Sequence, residues 1–455
     1  MRVSINTFYP SEPHEKQQII LDALDGGERF VLLRAGRKFR KTSLGISWLF
    51  EKALETGLSC PYVAPNRTQA KLIAWRDHVQ RVLDGFKREG MPFKQNESEL
   101  TVTFPNGGRV QLLGVENKDS LRGISNWGAF FADEYDDWQE DIWSEIIRPN
   151  LITHKAPAII SGTPKGFRNM WRMEKGGIFK PFHFTSYDNP DLDRDELEAL
   201  VKEYKEMGMG TYRQEILAEY EKPEGTVYEE WEMEKQYIPF EREYSLPIHL
   251  SWDFGVNDAT AILVLQPYRD ELRLIDYYEA SDANLAHFVD WLKERNYKPE
   301  FEAGDIAGRQ RSLITGKSVL AELRRLGHHV RTMPIPDIES QVRNAHKFIP
   351  KLYVNKANPN TERFVECILN YKYPKKSGTA IDQSNEKPIH DEFSHGMRAY
   401  EYYCWNITQG GVGGVGGTKE SPRATTAQID VKTGRQISVD LDKWAKPKRR
   451  VFYKR

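Results

Sequence analysis

Short apolar runs of strand length alternate with stretches of helical period over the first half of the chain. Arg29–Arg34 (RFVLLR) is such a run; a turn containing Gly and Arg follows it, and Ser43–Leu54 then has helical spacing. Cys60–Ala64 (CPYVA) predicts a second strand, which Pro65 ends, and a helix is predicted from about Thr68 to Phe86. Strands that alternate with helices predict a parallel sheet. Leu100–Phe104 and Arg109–Leu113 flank Pro105-Asn106-Gly107-Gly108, the pattern of a hairpin. Trp127–Ala132 and Ala158–Ile160 are further runs of the buried type.

From Asp191 to Glu221 the chain is charged and helical in period, which predicts a small helical lid on the first domain. Glu221–Pro247 is rich in Glu, Tyr and Pro and has no apolar period, so a linker is expected there. A second α/β pattern follows. Its strands are Ile248–Asp253, Ala259–Gln266, Leu272–Glu279 and Phe301–Asp305, and its helices Asn284–Arg295 and Ser318–Leu326. Gln409–Thr418 (QGGVGGVGGT) has the composition of a flexible linker. The expected organisation is a first-domain core over 1–186, a lid over 187–225, a linker over 226–247, a second domain over 248–408 and a Gly-rich linker with a basic tail over 409–455. No internal repeat is visible.

Size agrees with two domains, since 455 residues exceed what one hydrophobic core serves. A hydrophobic fraction of 39% and a mean hydropathy of -0.65 describe a soluble globular protein. No run reaches the ~18–20 apolar residues of a membrane span, and Met1–Pro10 lacks the charged start and apolar run of a signal peptide. Cys60, Cys367 and Cys404 are far apart and odd in number, the pattern of buried thiols rather than of a disulfide framework or zinc site. A net charge of -1 gives no support for nucleic-acid binding by itself. The end of the chain, Lys443–Arg455 (KWAKPKRRVFYKR), holds no acid. It reads as a solvated tail or as an arm for phosphate or a partner.

The first strand feeds the turn Ala35-Gly36-Arg37-Lys38-Phe39-Arg40-Lys41-Thr42-Ser43. A strand, a tight turn and a helix N-terminus make an anion site, because backbone N–H groups and the helix dipole favour negative charge. In such a loop Gly36, Arg37, Lys38, Arg40 and Ser43 surround the phosphates, Lys41 reaches the β- and γ-phosphates, and Thr42 holds Mg²⁺. The match to G-x-x-x-x-G-K-[ST] is imperfect, with Ala35 and Arg40 at the glycine positions, and a surface Lys/Arg turn is the alternative. Downstream, Ala129-Phe130-Phe131-Ala132 ends in Asp133-Glu134. P-loop enzymes need one acid there to hold Mg²⁺ and a second to activate water. Ser161-Gly162-Thr163-Pro164 closes another strand and can sense the γ-phosphate, or be an ordinary β-turn.

In the second half, Asp253 follows a strand within Asp253-Phe254-Gly255, Asp305 ends Phe301-Glu302-Ala303-Gly304, and Asp391 opens a helix. Each taken singly is a strand-end cap or surface charge. Together they can converge on a pair of Mg²⁺ or Mn²⁺ ions, which stabilise the attacking and leaving oxygens of phosphodiester hydrolysis. His395, one turn after Asp391, is a further ligand or a helix-surface histidine. Glu302 and Asp258 are outer-shell acids at most.

In combination these motifs resemble the large subunit of tailed-bacteriophage terminases. The resemblance is carried by the Gly-Arg-x-x-x-Lys-Thr turn, the strand ending Asp133-Glu134 and Ser161-Gly162-Thr163-Pro164. Val63-Ala64-Pro65 with Gln69-Ala70, Leu121-Arg122-Gly123 and Tyr212–Tyr220 (YRQEILAEY) extend it, over about residues 9 to 403. It implies an α/β chain: a P-loop ATPase with a parallel-type sheet and small helical lid, then an RNase H-like mixed α/β nuclease. It also implies that Lys41 and Thr42 bind ATP and Mg²⁺, that Asp133 binds Mg²⁺ and Glu134 activates water, and that Ser161–Thr163 couple hydrolysis to motion. Gln17 resembles the family's adenine-side glutamine, and Arg122 the arginine given to a neighbouring subunit's ATP. Asp253, Asp305 and Asp391, with His395, correspond to the nuclease's metal-binding acids, using Mg²⁺ or Mn²⁺. The implied partners are double-stranded DNA, a small terminase subunit, the portal of a procapsid and further copies in a ring, with a free monomer, in the cytoplasm of a bacterial host.

One departure stands out: the family usually has Gly before the lysine, and here it is Arg40. If that position is left-handed, a side chain costs ~1–2 kcal/mol. Two other readings stand beside the packaging motor. A helicase–nuclease of DNA repair needs further helicase motifs after Ser161-Gly162-Thr163, and only one P-loop core fits before residue 220. A non-enzymatic DNA-binding assembly protein with a decayed ATPase fits Arg40 but not the intact Lys41, Thr42, Asp133 and Glu134.

Overall fold

The computed structural model describes residues 9, 12–116, 118–139, 142–255, 258–309, 318–374, 387–410, 425–429 and 436–440. The chain divides into two compact units, Met1–Glu224 and Gly225–Arg455.

The first unit is built on eight strands: β1 (Phe30–Ala35), β2 (Ser59–Ala64), β3 (Lys94–Asn96), β4 (Thr101–Thr103), β5 (Arg109–Gly114), β6 (Phe130–Ala132), β7 (Ala158–Gly162) and β8 (Lys180–Phe184). Their order is β3-β4-β5-β2-β6-β7-β1-β8. From β5 to β8 every pairing is parallel, and β3 and β4 add antiparallel at one edge. Parallel strands are covered on both faces, so β6 and β7 read as unbroken apolar runs and are buried throughout. The expected hairpin forms between β4 and β5. β8 escaped the sequence reading because KPFHF is half exposed and carries Pro181, which suits an edge strand.

The helix Lys41–Thr56 packs on this sheet through Gly45. A β-carbon there would sit 2.2 Å from the Phe131 ring. Gly45→Ala should therefore cost about 1–3 kcal/mol by overpacking. Denaturant unfolding of the first unit checks this, and an unchanged midpoint would contradict it. The expected lid is the helix pair Arg194–Met207 and Met209–Glu215. Asp193 caps the first, accepting from Asp195 N (2.9 Å) and Glu196 N (3.0 Å). Leu197, Val201 and Ile216 give the pair a small core of its own.

The second unit holds β9 (Tyr237–Ile238), β10 (Ile248–Asp253), β11 (Thr260–Tyr268), β12 (Glu271–Ala280), β13 (Pro299–Gly304) and β14 (Leu352–Asn355). The order is β13-β10-β11-β12-β14-β9. β10, β11 and β12 form an antiparallel meander, with β13 parallel to β10 and β14 parallel to β12. This mixed sheet with its helices is the α/β arrangement expected of the second half. Alternate residues of β10 serve two layers. Leu250 and Trp252 join Phe288 and Leu292 of the helix Leu285–Glu294. His249, Ser251 and Asp253 instead bond to Tyr403, Ala399 O and His395 of the helix Ser394–Gly410.

The stretch 226–247, expected to be a linker, lies in this second unit. It carries a short helix (Met233–Gln236) and β9, and it buries Tyr228 and Trp231 completely. Few, widely spaced aromatics anchor it, so no apolar period announced it. At the other end, Gln409 and Gly410 complete the last helix, and β15 (Thr425–Ile429) pairs antiparallel with β16 (Gln436–Asp440). The rest of the Gly-rich tract and the basic end lie outside the described residues.

Burial pushes His249 down to about pKa 4. A histidine depressed in the folded state from 6.5 leaves the unfolded chain holding more protons between those values, so stability is complete above pH 6.5 and falls as pH drops toward 4. At pH 5 the loss is about 2 kcal/mol relative to neutral pH. Comparing the chain with His249→Gln between pH 7 and 5 tests it; equal losses in both would contradict the assignment.

Candidate active sites

The turn after β1 is built by its neighbours. Gly36 has no room for a side chain, since a β-carbon would lie 2.3 Å from Ile216 O and 2.6 Å from Ser186 N. Arg37 N donates to Glu215 O at 2.8 Å, and Asn189 Nδ2 donates to Lys38 O at 2.7 Å. Arg37 pairs with Glu215 and Arg40 with Asp191, so the lid segment grips the turn by backbone and by charge. Lys38 and Arg40 both have positive φ, 63° and 76°. Arg40 therefore occupies the left-handed position where glycine is favoured, at a cost of ~1–2 kcal/mol.

Behind the turn the polar groups converge. Lys41 Nζ donates to Ala35 O (2.8 Å), Gly36 O (3.3 Å) and Thr163 Oγ1 (3.1 Å). Burial pulls its pKa down, and Glu134 and Asp133 oppose that. The Asp133 carboxylate accepts from Thr42 Oγ1 (2.7 Å), Tyr62 OH (2.8 Å), Ser161 Oγ (3.1 Å) and Glu134 N (3.2 Å). Glu134 has φ 47° and accepts from Thr163 N at 3.4 Å. Burial raises its pKa, Lys41 opposes, and Asp133 adds to the rise. Four segments far apart in sequence thus place a lysine, four hydroxyls and two carboxylates around one point. Ser43 stands in the first turn of the same helix.

Gln17 is buried beside this turn, with Nε2 donating to Arg40 O at 3.2 Å and Oε1 accepting from His14 N at 3.2 Å. Arg122 is not part of the cluster. Its half-exposed side chain lies 3.7 Å from Asp119 and 3.6 Å from Glu145. Two residues escaped the sequence reading. Tyr62, on β2, stacks on Phe131 and holds Asp133. Asp136, fully buried, accepts from Lys165 N (2.8 Å) and Met170 N (2.7 Å) and ties the loop after β7 to that after β6.

In the second unit, Trp252 pairs with Gly304 on the parallel neighbours β10 and β13. The next residues, Asp253 and Asp305, therefore leave adjacent strand ends about 4.8 Å apart in backbone. Burial raises the pKa of Asp253, His395 opposes, and Asp305 adds to the rise. His395 Nδ1 lies 3.2 Å from Asp253 Oδ2. Burial disfavours the His395 cation, yet the bond to Asp253 and the charges of Asp253, Glu279 and Asp258 together outweigh it and its pKa is raised. Asp391 sits in the turn one helical step before His395, its Oδ1 accepting from Phe393 N at 3.0 Å. Arg363 pins that turn: its Nη2 donates to Glu392 O at 2.7 Å, its guanidinium covers the Phe393 ring, and its Nε is 3.4 Å from Glu279. Among the described residues no three His, Cys, Asp or Glu side chains are gathered into a metal-binding group. Asp253 is brought together with His395 and feels the charge of Asp305, while Asp391 stands in the turn before the last helix. As donors, carboxylates suit hard divalent cations.

With this geometry in view, the family comparison decides the first unit. Residues 32–235 match the model of the terminase large subunit, T4likevirus-type, N-terminal. Over that stretch the chain is similar to the N-terminal region of terminase large subunits. No curated protein matches the sequence. Among solved structures, the chain is similar to the bacteriophage HK97 large terminase at 14% identity, covering 89% of this chain and 95% of that one with a TM-score of 0.47. It is similar to the ATPase domain of the Thermus phage P74-26 large terminase at 21% identity, over 48% and 99%, TM-score 0.39. It is similar to the nuclease domain of the P22 large terminase at 18% identity, over 40% and 93%, TM-score 0.33. The identification rests on the family match. The terminase region ends inside the second unit, at residue 235, so it includes the whole turn, the acid pair and the lid.

Proposed function

We propose that this terminase subunit is an ATP-driven motor that moves double-stranded DNA through a portal into a procapsid, and that its second unit is a metal-dependent endonuclease cutting concatemeric DNA. The observation that carries it is the convergence of Lys41, Thr42, Asp133, Glu134 and Thr163 inside a region of terminase sequence. Lys41 would neutralise the β- and γ-phosphates and Glu134 would orient the attacking water. Thr42 and Asp133 would hold Mg²⁺, which supplies charge neutralisation of the nucleotide. Gln17 would meet the adenine, and Gly36, Arg37, Lys38, Arg40 and Ser43 would frame the phosphate path. Asp253, Asp305, Asp391 and His395 would hold Mg²⁺ or Mn²⁺ for phosphodiester hydrolysis. The partners in this reading are DNA, a small terminase subunit, the portal and neighbouring copies, in the cytoplasm of a bacterial host. Purified chain assayed for ATP hydrolysis and plasmid cutting tests it; neither activity would sink the reading.

The exposed position of Arg122 suits a role in a neighbouring subunit's site. An arginine supplied in trans is worth ~10³–10⁵ in rate, so the free monomer should be a slow ATPase that speeds up on assembly. Arg122→Ala carries an intact Lys41, and Lys41→Ala an intact arginine. Neither should turn over well alone, and a mixture should recover part of the activity when assembled. If assembled Arg122→Ala matches the parent, the trans arginine is another residue.

A further inference from the structure

A polar cleft of about 400 Å³ in the second unit belongs to neither site above. Arg242, Tyr244, Asp276, Arg295 and Asn360 are among the residues that line it. Asp276 is only 2% exposed, and its oxygens are consumed. They accept from Tyr277 N (2.8 Å), Asn360 Nδ2 (3.0 Å) and Tyr297 OH (2.9 Å), with Arg295 Nε at 3.5 Å. The one carboxylate in the cleft therefore offsets Arg295 and leaves Arg242 uncompensated.

Among the described residues no acid pairs with Arg242. Its guanidinium lies over the Tyr244 and Tyr297 rings at 4.8 and 5.1 Å. Its Nη2 donates to Asn296 O at 3.5 Å, and among the described residues its buried Nε has no hydrogen-bond partner. The guanidinium lines an open cleft in which no described acid neutralises it, so an anion suits that place. Phosphate is the acceptor that guanidinium geometry matches best. Tyr244 is 82% exposed, so most of its ring faces solvent even with Arg242 against it. Beside a phosphate-binding arginine, such a face is a platform for a base.

We propose that this cleft binds a DNA strand, with a backbone phosphate at Arg242 and Arg295 and an unpaired base on Tyr244. The proposal rests on the DNA-handling reading above and adds a contact separate from the Asp253 site.

The test is fluorescence anisotropy of a short labelled oligothymidylate with the full-length chain in EDTA, across a salt series. Arg242→Gln should flatten the dependence of log affinity on log salt by ~0.7, one phosphate contact on a single strand. Tyr244→Ala should weaken binding roughly fivefold or more with the salt dependence kept. Both side chains lie at the surface end of the cleft, and an unchanged circular dichroism spectrum shows that the fold is intact. Parent-like affinity and salt dependence in both variants would overturn the cleft while leaving the packaging reading standing. A parent chain that binds no oligothymidylate at any salt would likewise overturn the cleft, whereas only a failure to bind double-stranded DNA as well would overturn both. Inorganic phosphate, titrated by calorimetry, separates the remaining case: if Arg242→Gln loses phosphate but binds the oligonucleotide as the parent does, the cleft is a free-anion site and the strand proposal fails.

Discussion

Lys41→Ala should lower ATP turnover by ~10²–10³-fold or more, and it should weaken nucleotide binding as well. The ammonium sits 2.8 Å from Ala35 O at the base of the turn, already desolvated and flanked by Glu134 and Asp133. Preorganised charge of this kind is worth most where water is excluded. Glu134→Gln should separate the two effects. It keeps the phosphate cradle and loses only the base, so ATP should still bind while turnover falls ~10²–10⁴-fold. Equilibrium binding of a labelled ATP analogue and steady-state phosphate release distinguish the pair. Parent-like hydrolysis by both variants would remove this site from the motor.

Asp253→Asn should abolish plasmid cutting in Mn²⁺ or Mg²⁺ and leave ATP hydrolysis within about twofold of the parent. Asp253 belongs to the second compact unit, at a strand end beside Asp305 and His395, whereas the residues proposed to handle ATP belong to the first. Loss of one anionic ligand from a two-metal site removes the charge that holds both oxygens of the displacement. EDTA should have the same effect on cutting. Undiminished cutting by Asp253→Asn would place the nuclease elsewhere.

Much of this architecture was legible from sequence because the signals are local. The parallel strands β1, β2, β6 and β7 are buried on both faces, so each reads as an apolar run, and the Lys-Thr turn and the Asp-Glu strand end mark themselves. Arg40 was legible as a departure, and the structure gives it the left-handed backbone that the departure implies. What escaped the reading depends on distant partners. Nothing around Tyr62 reveals that its hydroxyl meets a carboxylate on another strand. Arg363 looks like a helix-surface arginine until Glu279 and the Glu392 carbonyl are placed beside it. The grip of Asp191 and Glu215 on the basic turn could have been suspected from their charge, but its pairing is set only by how the lid folds back. The supposed linker lacked period because a few large aromatics, Tyr228 and Trp231 above all, do its anchoring.

The central claim is that ATP hydrolysis at Lys41 and Glu134 moves DNA. The most direct measurement is DNA packaging: the chain, procapsids bearing their portal, linear double-stranded DNA and ATP are mixed, and DNA protected from added nuclease is quantified. The account predicts protected DNA with ATP, and none with Lys41→Ala, Glu134→Gln or a non-hydrolysable ATP analogue. Protection that persists with Lys41→Ala, or no protection from a preparation that hydrolyses ATP on the portal, would contradict it.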